Sequence, residues 1–311
     1  MSIFDKLFDK KMRQFAGDDE DTDVAKEQST NLKKVTSDKA SELIKELSGT
    51  KYTQGKKLIE NVICFTNVAG GTGASTIAAN VAHMISQQGL SVIMVDLNIL
   101  CPVQHTYLGI DQSVGDKNDL VKLLSGGCQL TEAINSSKHI HLLFANNRSL
   151  LDDLNCDEEI PKNNFTQMIS NLKNYYDVVI IDCPMRIDKM LCNTALYLAD
   201  AIYAVWDEGI SSIINTEKVR RALGDASVDS YTKMRVIINK RTSVAISDSI
   251  LKKLNIELLD VVPFSIDVID SSHRGKIFCA NGYATNNNGS DFAKKIASIT
   301  EQILSIGGYV F

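Results

Sequence analysis

The feature that most constrains the fold is a regular alternation, from Val62 onward, of short apolar runs with amphipathic helical stretches. The apolar runs are rich in β-branched residues and continuous rather than alternating, as is typical of strands covered on both faces. They span residues 62–67, 91–96, 139–145, 177–182, 201–206, 235–240 and 258–264. The helical stretches span residues 75–88, 119–124, 165–174, 193–198, 216–223 and 247–254. This alternation predicts an α/β fold: a mostly parallel, doubly wound sheet with helices on both faces.

The chain changes character near residue 58. Residues 1–13 space Phe4, Leu7 and Phe8 as a short amphipathic helix does, and an acidic linker with six carboxylates between Asp18 and Glu27 follows. A second helical stretch is predicted over residues 37–47. We therefore expect a partly disordered N-terminal extension over 1–57 and one folded domain over 58–311.

Composition excludes several classes of protein. The 33 basic and 38 acidic residues leave a net charge of −5, so nucleic acid is an unfavoured partner. No apolar stretch reaches the ~18–20 residues of a membrane span. The seven cysteines form no CxxC pair, which disfavours zinc and a disulfide framework. Cys64, Cys101, Cys183 and Cys192 are expected to be reduced core thiols in a cytoplasmic protein.

The loop after the first apolar run reads NVAGGTGAST and carries glycines at 70, 71 and 73. Glycine lets the backbone approach an anion, and the following helix offers unpaired N–H groups. Ser75 and Thr76 open that helix, where one hydroxyl could bind Mg²⁺ and the other a phosphate oxygen. Two interpretations remain open: a phosphate cradle, or glycines that only turn the chain.

Two carboxylates close predicted strands. Asp96 ends the second apolar run and Asp182 ends the run YDVVIID. Ligands bind beyond the carboxyl ends of parallel strands, and a carboxylate there can hold Mg²⁺ directly or through water. Alternatively, Asp96 and Asp182 serve only as cap or turn residues at the ends of their strands.

These segments together resemble the ParA/MinD superfamily of deviant-Walker-A ATPases. The superfamily's loop KGGxGK[ST]T falls without gaps on residues 69–76, and its DxD signature falls on Asp96 and Asn98. YDVVIIDCP is similar to its Walker B segment, with Asp182 as the aspartate. VIINK resembles the strand whose asparagine contacts adenine, here Asn239, and the segment from VVPF, with Pro263, resembles the part that passes the base.

The resemblance implies ATP or ADP with Mg²⁺ as cofactor. The implied nucleotide-binding residues are Gly70, Gly71, Thr72, Gly73, Ala74, Ser75, Thr76, Asn239 and Pro263. Ser75 and Asp182 would hold Mg²⁺, Asp182 directly or through water. Asp96 and Asn98 are the implied catalytic pair.

Three positions depart from the superfamily pattern. Ala69 and Ala74 stand where it has lysines, and Asn98 stands where it has an aspartate that positions the attacking water. An asparagine can hydrogen-bond water but cannot accept its proton. We therefore expect weak Mg²⁺-dependent nucleotide binding and little or no hydrolysis.

The stretch GTGAST at residues 71–76 resembles the CpaE/TadZ-like branch, which comprises localisation factors of Tad-type pilus machines. The resemblance implies a homodimer formed through the nucleotide face that localises or assembles a pilus, secretion or conjugation machine. Residues 1–13 would contact a membrane or a partner, which would place the protein at the inner face of the membrane or at the cell pole. The alternative is that these residues fray or pack on their own domain. The alternative function is an active ATPase in plasmid or chromosome partitioning, or in membrane-associated positioning of cell division.

Overall fold

A computed structural model describes residues 60–111, 118–137, 139–146, 159–184, 190–225, 230–242, 248–281 and 291–309. The predicted extension over 1–57, with its helices at 1–13 and 37–47, lies outside these ranges. Its structure and its boundary with the domain therefore stay predictions.

Eight strands form one sheet. They are β1 Val62–Asn67, β2 Val92–Asp96, β3 Asn135–Ser137, β4 Ile140–Leu143, β5 Val178–Pro184, β6 Ala201–Trp206, β7 Met234–Arg241 and β8 Glu257–Pro263. Their order is β3-β4-β2-β5-β1-β6-β7-β8, and every neighbouring pair is parallel except β3 with β4. The predicted mostly parallel sheet is confirmed. The sequence did not indicate β3, because its three residues, NSS, carry no apolar pattern.

Helices connect the strands. They are α1 Ala74–Gln87, α2 Gln104–Tyr107, α3 Leu120–Leu124, α4 Leu130–Ala133, α5 Glu159–Tyr175, α6 Met190–Leu198, α7 Ile210–Asp225, α8 Ser230–Lys233, α9 Asp248–Leu254, α10 Ile266–His273 and α11 Asp291–Ile306. All six predicted helical stretches between the strands are present. Helix α7 begins six residues before its predicted start at Thr216, and Ile210 and Ile214 of this additional part are exposed rather than packed in the core.

The core lies on both faces of the sheet. Alternate residues of β1 separate into two clusters, with Val62 and Cys64 in one and Ile63 and Phe65 in the other. Strands β1, β2, β5 and β6 are almost wholly buried, as their continuous apolar runs predict. This double covering leaves the carboxyl ends of the central strands as the place where ligands can reach the sheet.

Two expectations need correction. Strand β8 is not covered on both faces but is only partly buried, because it forms the edge of the sheet. Cys101 is exposed rather than in the core, because it lies in the loop after β2. Within the described ranges, no helix has the length and apolar character that crossing a bilayer requires.

Candidate functional site

The glycine loop joins β1 to α1 in a conformation that only glycine adopts easily. Gly71 has a φ of 79° and Gly73, the residue that precedes α1, has a φ of 91°. A Cβ at Gly73 would also collide with the side-chain amide of Asn239. Backbone conformation and the close approach of β7 therefore both require glycine at position 73.

The start of α1 is open to an anion. None of the described side chains caps this end, and its first turn holds no acidic residue. The N–H groups of the first turn and the positive end of the helix dipole therefore remain for a ligand. Among the described residues, the buried Thr72 hydroxyl also has no hydrogen-bond partner. These features suit the loop to phosphate oxygens.

Strand β7 contributes two side chains to the loop. The Asn239 amide is buried and donates to the Thr72 carbonyl oxygen at 2.8 Å. Lys240, the next residue, is exposed and its ammonium group donates to the Gly71 carbonyl oxygen. The sequence placed Asn239 at this site through the VIINK pattern. The sequence gave no signal for Lys240, because its contact with Gly71 depends on the backbone conformation at the end of β7.

The two carboxylates predicted at strand ends are neighbours. Asp96 of β2 and Asp182 of β5 are paired in register, and both are buried. Asp96 accepts hydrogen bonds from the backbone N–H of Asn98 at 3.0 Å, of Val103 at 2.9 Å and of Gln104 at 3.0 Å. Its side chain therefore holds the loop after β2 and the start of α2, which is the capping role left open by the sequence.

Gln104 links the carboxylates to the glycine loop. Its buried side-chain amide donates to Asp182 Oδ2 at 2.7 Å and to the backbone oxygen of Ser75 at 3.0 Å. Its Oε1 is buried and has no partner among the described residues. The sequence did not single out Gln104, because helix α2 has only four residues and no apolar periodicity.

Burial raises the pKa of both carboxyl groups. Burial, followed by the charge of Asp182, raises the pKa of Asp96 to about 7, although three backbone hydrogen bonds oppose the shift. Burial also raises the pKa of Asp182, against hydrogen bonds from Gln104 and Ser75. Two adjacent buried carboxylates are costly when both are ionised, so the pair favours a proton or a cation between them.

The donor set fits Mg²⁺. Ser75 and Asp182 offer oxygen ligands beside the loop, and Mg²⁺ commonly takes one or two carboxylates together with phosphate oxygens. The described residues hold no group of three or more His, Cys, Asp or Glu side chains that could bind a metal. Such an ion would therefore depend on further oxygens from a ligand. The amide of Gln104 occupies Asp182 Oδ2, and rotation of that amide would instead present the unpartnered Oε1.

The remaining predicted residues divide into two groups. Gly73, Thr76, Asn239 and Pro263 line one cavity of about 250 Å³ beside the loop, so the structure brings together the predicted base-side residues. Asn98 instead turns back into its own loop, where its side-chain amide donates to the Cys101 carbonyl oxygen at 2.7 Å.

Comparison with known proteins gives a consistent family. The model of the AAA domain family matches residues 60–222. The septum site-determining protein MinD of Thermotoga maritima is 26% identical over 244 residues, which cover 76% of this chain and 88% of that protein. MinD of Bacillus subtilis is 26% identical over 222 residues, which cover 69% of this chain and 80% of that protein.

Solved structures share the fold. MinD of Pyrococcus horikoshii, complexed with Mg-ADP, aligns with a TM-score of 0.67 at 20% identity and covers 80% of this chain and 97% of that one. A ParA family ATPase of Chlorobium tepidum aligns with a TM-score of 0.63 at 19% identity and covers 78% of this chain and 99% of that one. With the matched domain, these relatives and the sheet order described above, the chain belongs to the AAA domain family within the ParA/MinD superfamily of P-loop NTPases.

Proposed function

We propose that this protein binds ATP or ADP with Mg²⁺ at the glycine loop, hydrolyses ATP very slowly, and acts as a dimeric localisation or assembly factor for a pilus, secretion or conjugation machine. The observation that carries the proposal is the arrangement around the loop. At the uncapped start of α1, Ser75 hydrogen-bonds Asp182, and Gly73 and Thr76 line the same cavity as Asn239 and Pro263. A nucleotide with bound Mg²⁺ has its parts in the same order: the metal ion, the phosphates and then the base.

Relatives support the choice of ligand. The Pyrococcus horikoshii MinD structure is a complex with Mg-ADP. In this chain, residues 70–76 would take the phosphates, Ser75 and Asp182 would hold Mg²⁺, and Asn239 and Pro263 would face the base. Bound Mg²⁺ would neutralise phosphate charge, while the main-chain N–H groups of the loop orient the phosphates.

Slow hydrolysis is proposed from three residues. Ala69 and Ala74 provide no cation for a transferring phosphoryl group, and Asn98 cannot accept a proton from water. Loss of one stabilising group commonly lowers the rate by about 10²–10⁵-fold. The Asn98 amide is also engaged with Cys101 rather than available to position water.

A dimer through the nucleotide face is supported by apolar exposure beside the loop. Asn215 of α7 donates to the Val68 carbonyl oxygen at 2.8 Å, which fixes α7 against the loop. Ile210 and Ile214 of the same helix are 73% and 49% exposed. Burial of such side chains by a second copy would favour association. In this proposal the folded domain over 58–311 forms the dimer, and residues 1–13 contact a membrane or partner.

An active ATPase of the MinD or partition type is the second candidate. It is favoured by the 26% identity to Thermotoga maritima MinD across 88% of that protein. One solved structure with a similar fold is the MinC:MinD cell division protein complex of Aquifex aeolicus. A cell-division partner would therefore fit the second candidate.

Phosphate release by the full-length protein separates the two candidates. The proposed factor turns over far more slowly than 1 s⁻¹, whereas a rate of about 1 s⁻¹ or faster would establish the active ATPase. A control with Asp182→Asn identifies contaminating activity, because phosphate release that persists in this variant does not come from this site. Capture of a secretion ATPase or an inner-membrane platform protein by the purified chain would support the assembly role, and capture of a MinC-like protein would support the alternative.

A further inference from the structure

We propose that Lys240 binds the phosphates of the nucleotide from outside the glycine loop and replaces the cation that the loop itself lacks. This inference rests on the proposed function, because it concerns the same ligand. The glycine loop has alanine at positions 69 and 74, where the superfamily pattern that it resembles has lysine. A loop without a cation depends on N–H dipoles alone, and these neutralise a di- or triphosphate only in part.

The ammonium group of Lys240 already lies on the loop. It donates to the carbonyl oxygen of Gly71, and Lys240 Cε lies 3.8 Å from the position that a Cβ would take at Gly73. Gly73 directly precedes α1, whose first N–H groups are open. The charge of Lys240 and these N–H donors therefore lie at the same end of α1.

The end of β7 is shaped to place this side chain. Asn239 is anchored to Thr72, and Lys240 follows it with a φ of 58°, in the left-handed region that non-glycine residues rarely adopt. The pairing of β7 with β8 also shifts register between Ile238 and Arg241. The strand thus departs from regular geometry at Lys240, one of the two β7 residues whose side chains reach the loop.

Neighbouring charges leave Lys240 available to an anion. Arg241, the next residue, pairs with Glu208 at 3.1 Å. Within the described residues, Lys240 makes no ion pair, and its recorded partner is a neutral carbonyl. Exchanging that carbonyl for a phosphate oxygen replaces a neutral acceptor with a charged one, so the hydrogen bond gains the Coulomb attraction between opposite charges. The flexible stem of lysine lets the ammonium move from Gly71 to a phosphate without a change in the backbone.

Binding measurements on the full-length protein test this role. Lys240→Met should weaken ADP binding by about 10–100-fold, since a hydrogen bond to a charged group is worth that factor. Adenosine binding should change much less, because Lys240 also lines the adjoining cavity but adenosine carries no phosphate. Lys240→Arg should retain ADP affinity within a few-fold. Lys252→Met is the matched control, an exposed lysine on α9 that makes no contact with the loop. The wild-type affinity for ADP should fall as salt rises, and this dependence should be smaller in Lys240→Met.

The outcomes separate this inference from the proposed function. If wild type binds ADP and Lys240→Met binds it equally well, Lys240 has no phosphate role, although the proposed function stands. Equal losses of ADP and adenosine would also overturn the inference, because a disturbed cavity would then explain both. If wild type binds neither ADP nor inorganic pyrophosphate, both proposals are wrong. Lys240 is exposed, so an unchanged melting temperature of the variant should show that its fold is intact.

Discussion

Replacement of Gln104 by alanine should reveal how the carboxylate pair is held without a metal. The change removes the amide bond to Asp182 Oδ2 at 2.7 Å and the bond to the Ser75 carbonyl at 3.0 Å. A hydrogen bond to a charged acceptor contributes about 1.5–3 kcal/mol and one to a neutral acceptor about 0.5–1.5 kcal/mol. We therefore expect a loss of about 2–4 kcal/mol in the free energy of unfolding. For a domain of about 150–250 residues this lowers Tm by about 4–16 °C.

Addition of Mg²⁺ with ADP should recover much of that loss. In wild type the Gln104 amide must leave Asp182 Oδ2 before a cation can bind that oxygen, whereas in the variant this oxygen has already lost its bond to Gln104. The ligand should therefore raise the Tm of Gln104→Ala by more than it raises that of wild type, since stabilisation follows affinity for the native state.

Thermal unfolding in EDTA, and then with Mg²⁺ and ADP, is the assay. Gln104→Met keeps an unbranched side chain of similar size but has no donor, so it separates the lost hydrogen bonds from a cavity. Gln302→Ala is the control substitution, since the half-buried side-chain amide of Gln302 donates a 3.3 Å hydrogen bond to the Ser298 hydroxyl within α11. The reasoning is refuted if both Gln104 variants melt like wild type in EDTA, or if the ligand raises all Tm values equally.

Three further outcomes are expected. Gly73→Ala should destabilise the protein by about 1–3 kcal/mol and weaken ADP binding in calorimetry, because it combines backbone strain with a collision at Asn239. Gly89→Ala, at a φ of 80° with open space around it, should show the strain alone; equal losses in both variants would contradict the collision. Burial lowers the pKa of His141 from its ordinary value of 6.5, so below about pH 6.5 the unfolded chain binds a proton at this histidine more readily than the native state, and the contribution of His141 to stability should fall. Chemical denaturation across about pH 5–8 should show the free energy of unfolding of wild type falling relative to that of His141→Gln as pH drops, a difference that cancels the opposite effect of Asp96 and Asp182 present in both proteins, and a constant difference would exclude this histidine as a cause. Ile214→Glu should prevent nucleotide-dependent dimerisation in light scattering without lowering Tm; a dimer that persists would exclude α7 from the interface.

The sequence predicted the sheet better than the site. Strands such as β1 and β5 were predictable because burial on both faces demands an unbroken run of apolar residues. The carboxyl-end location of Asp96 and Asp182 followed from the same runs. Their pairing did not follow, because it requires β2 and β5 to be neighbours, which no local pattern shows.

The two side chains that most modify the site were not predictable from local patterns. Gln104 lies on a helix of four residues, and its amide reaches Asp182 only because α2 is held against the carboxyl end of β2 by Asp96. Lys240 reaches the loop through a left-handed backbone at the end of β7. Both contacts join residues far apart in the chain, so they depend on tertiary packing rather than on sequence periodicity.

Calorimetric titration of the full-length protein with ADP and Mg²⁺ tests most directly whether this loop holds a nucleotide. The account predicts saturable heat with a Kd on the order of 10 µM to 1 mM, much weaker binding of adenosine, and loss of binding when Mg²⁺ is removed. No heat at millimolar ADP with Mg²⁺ present would contradict it.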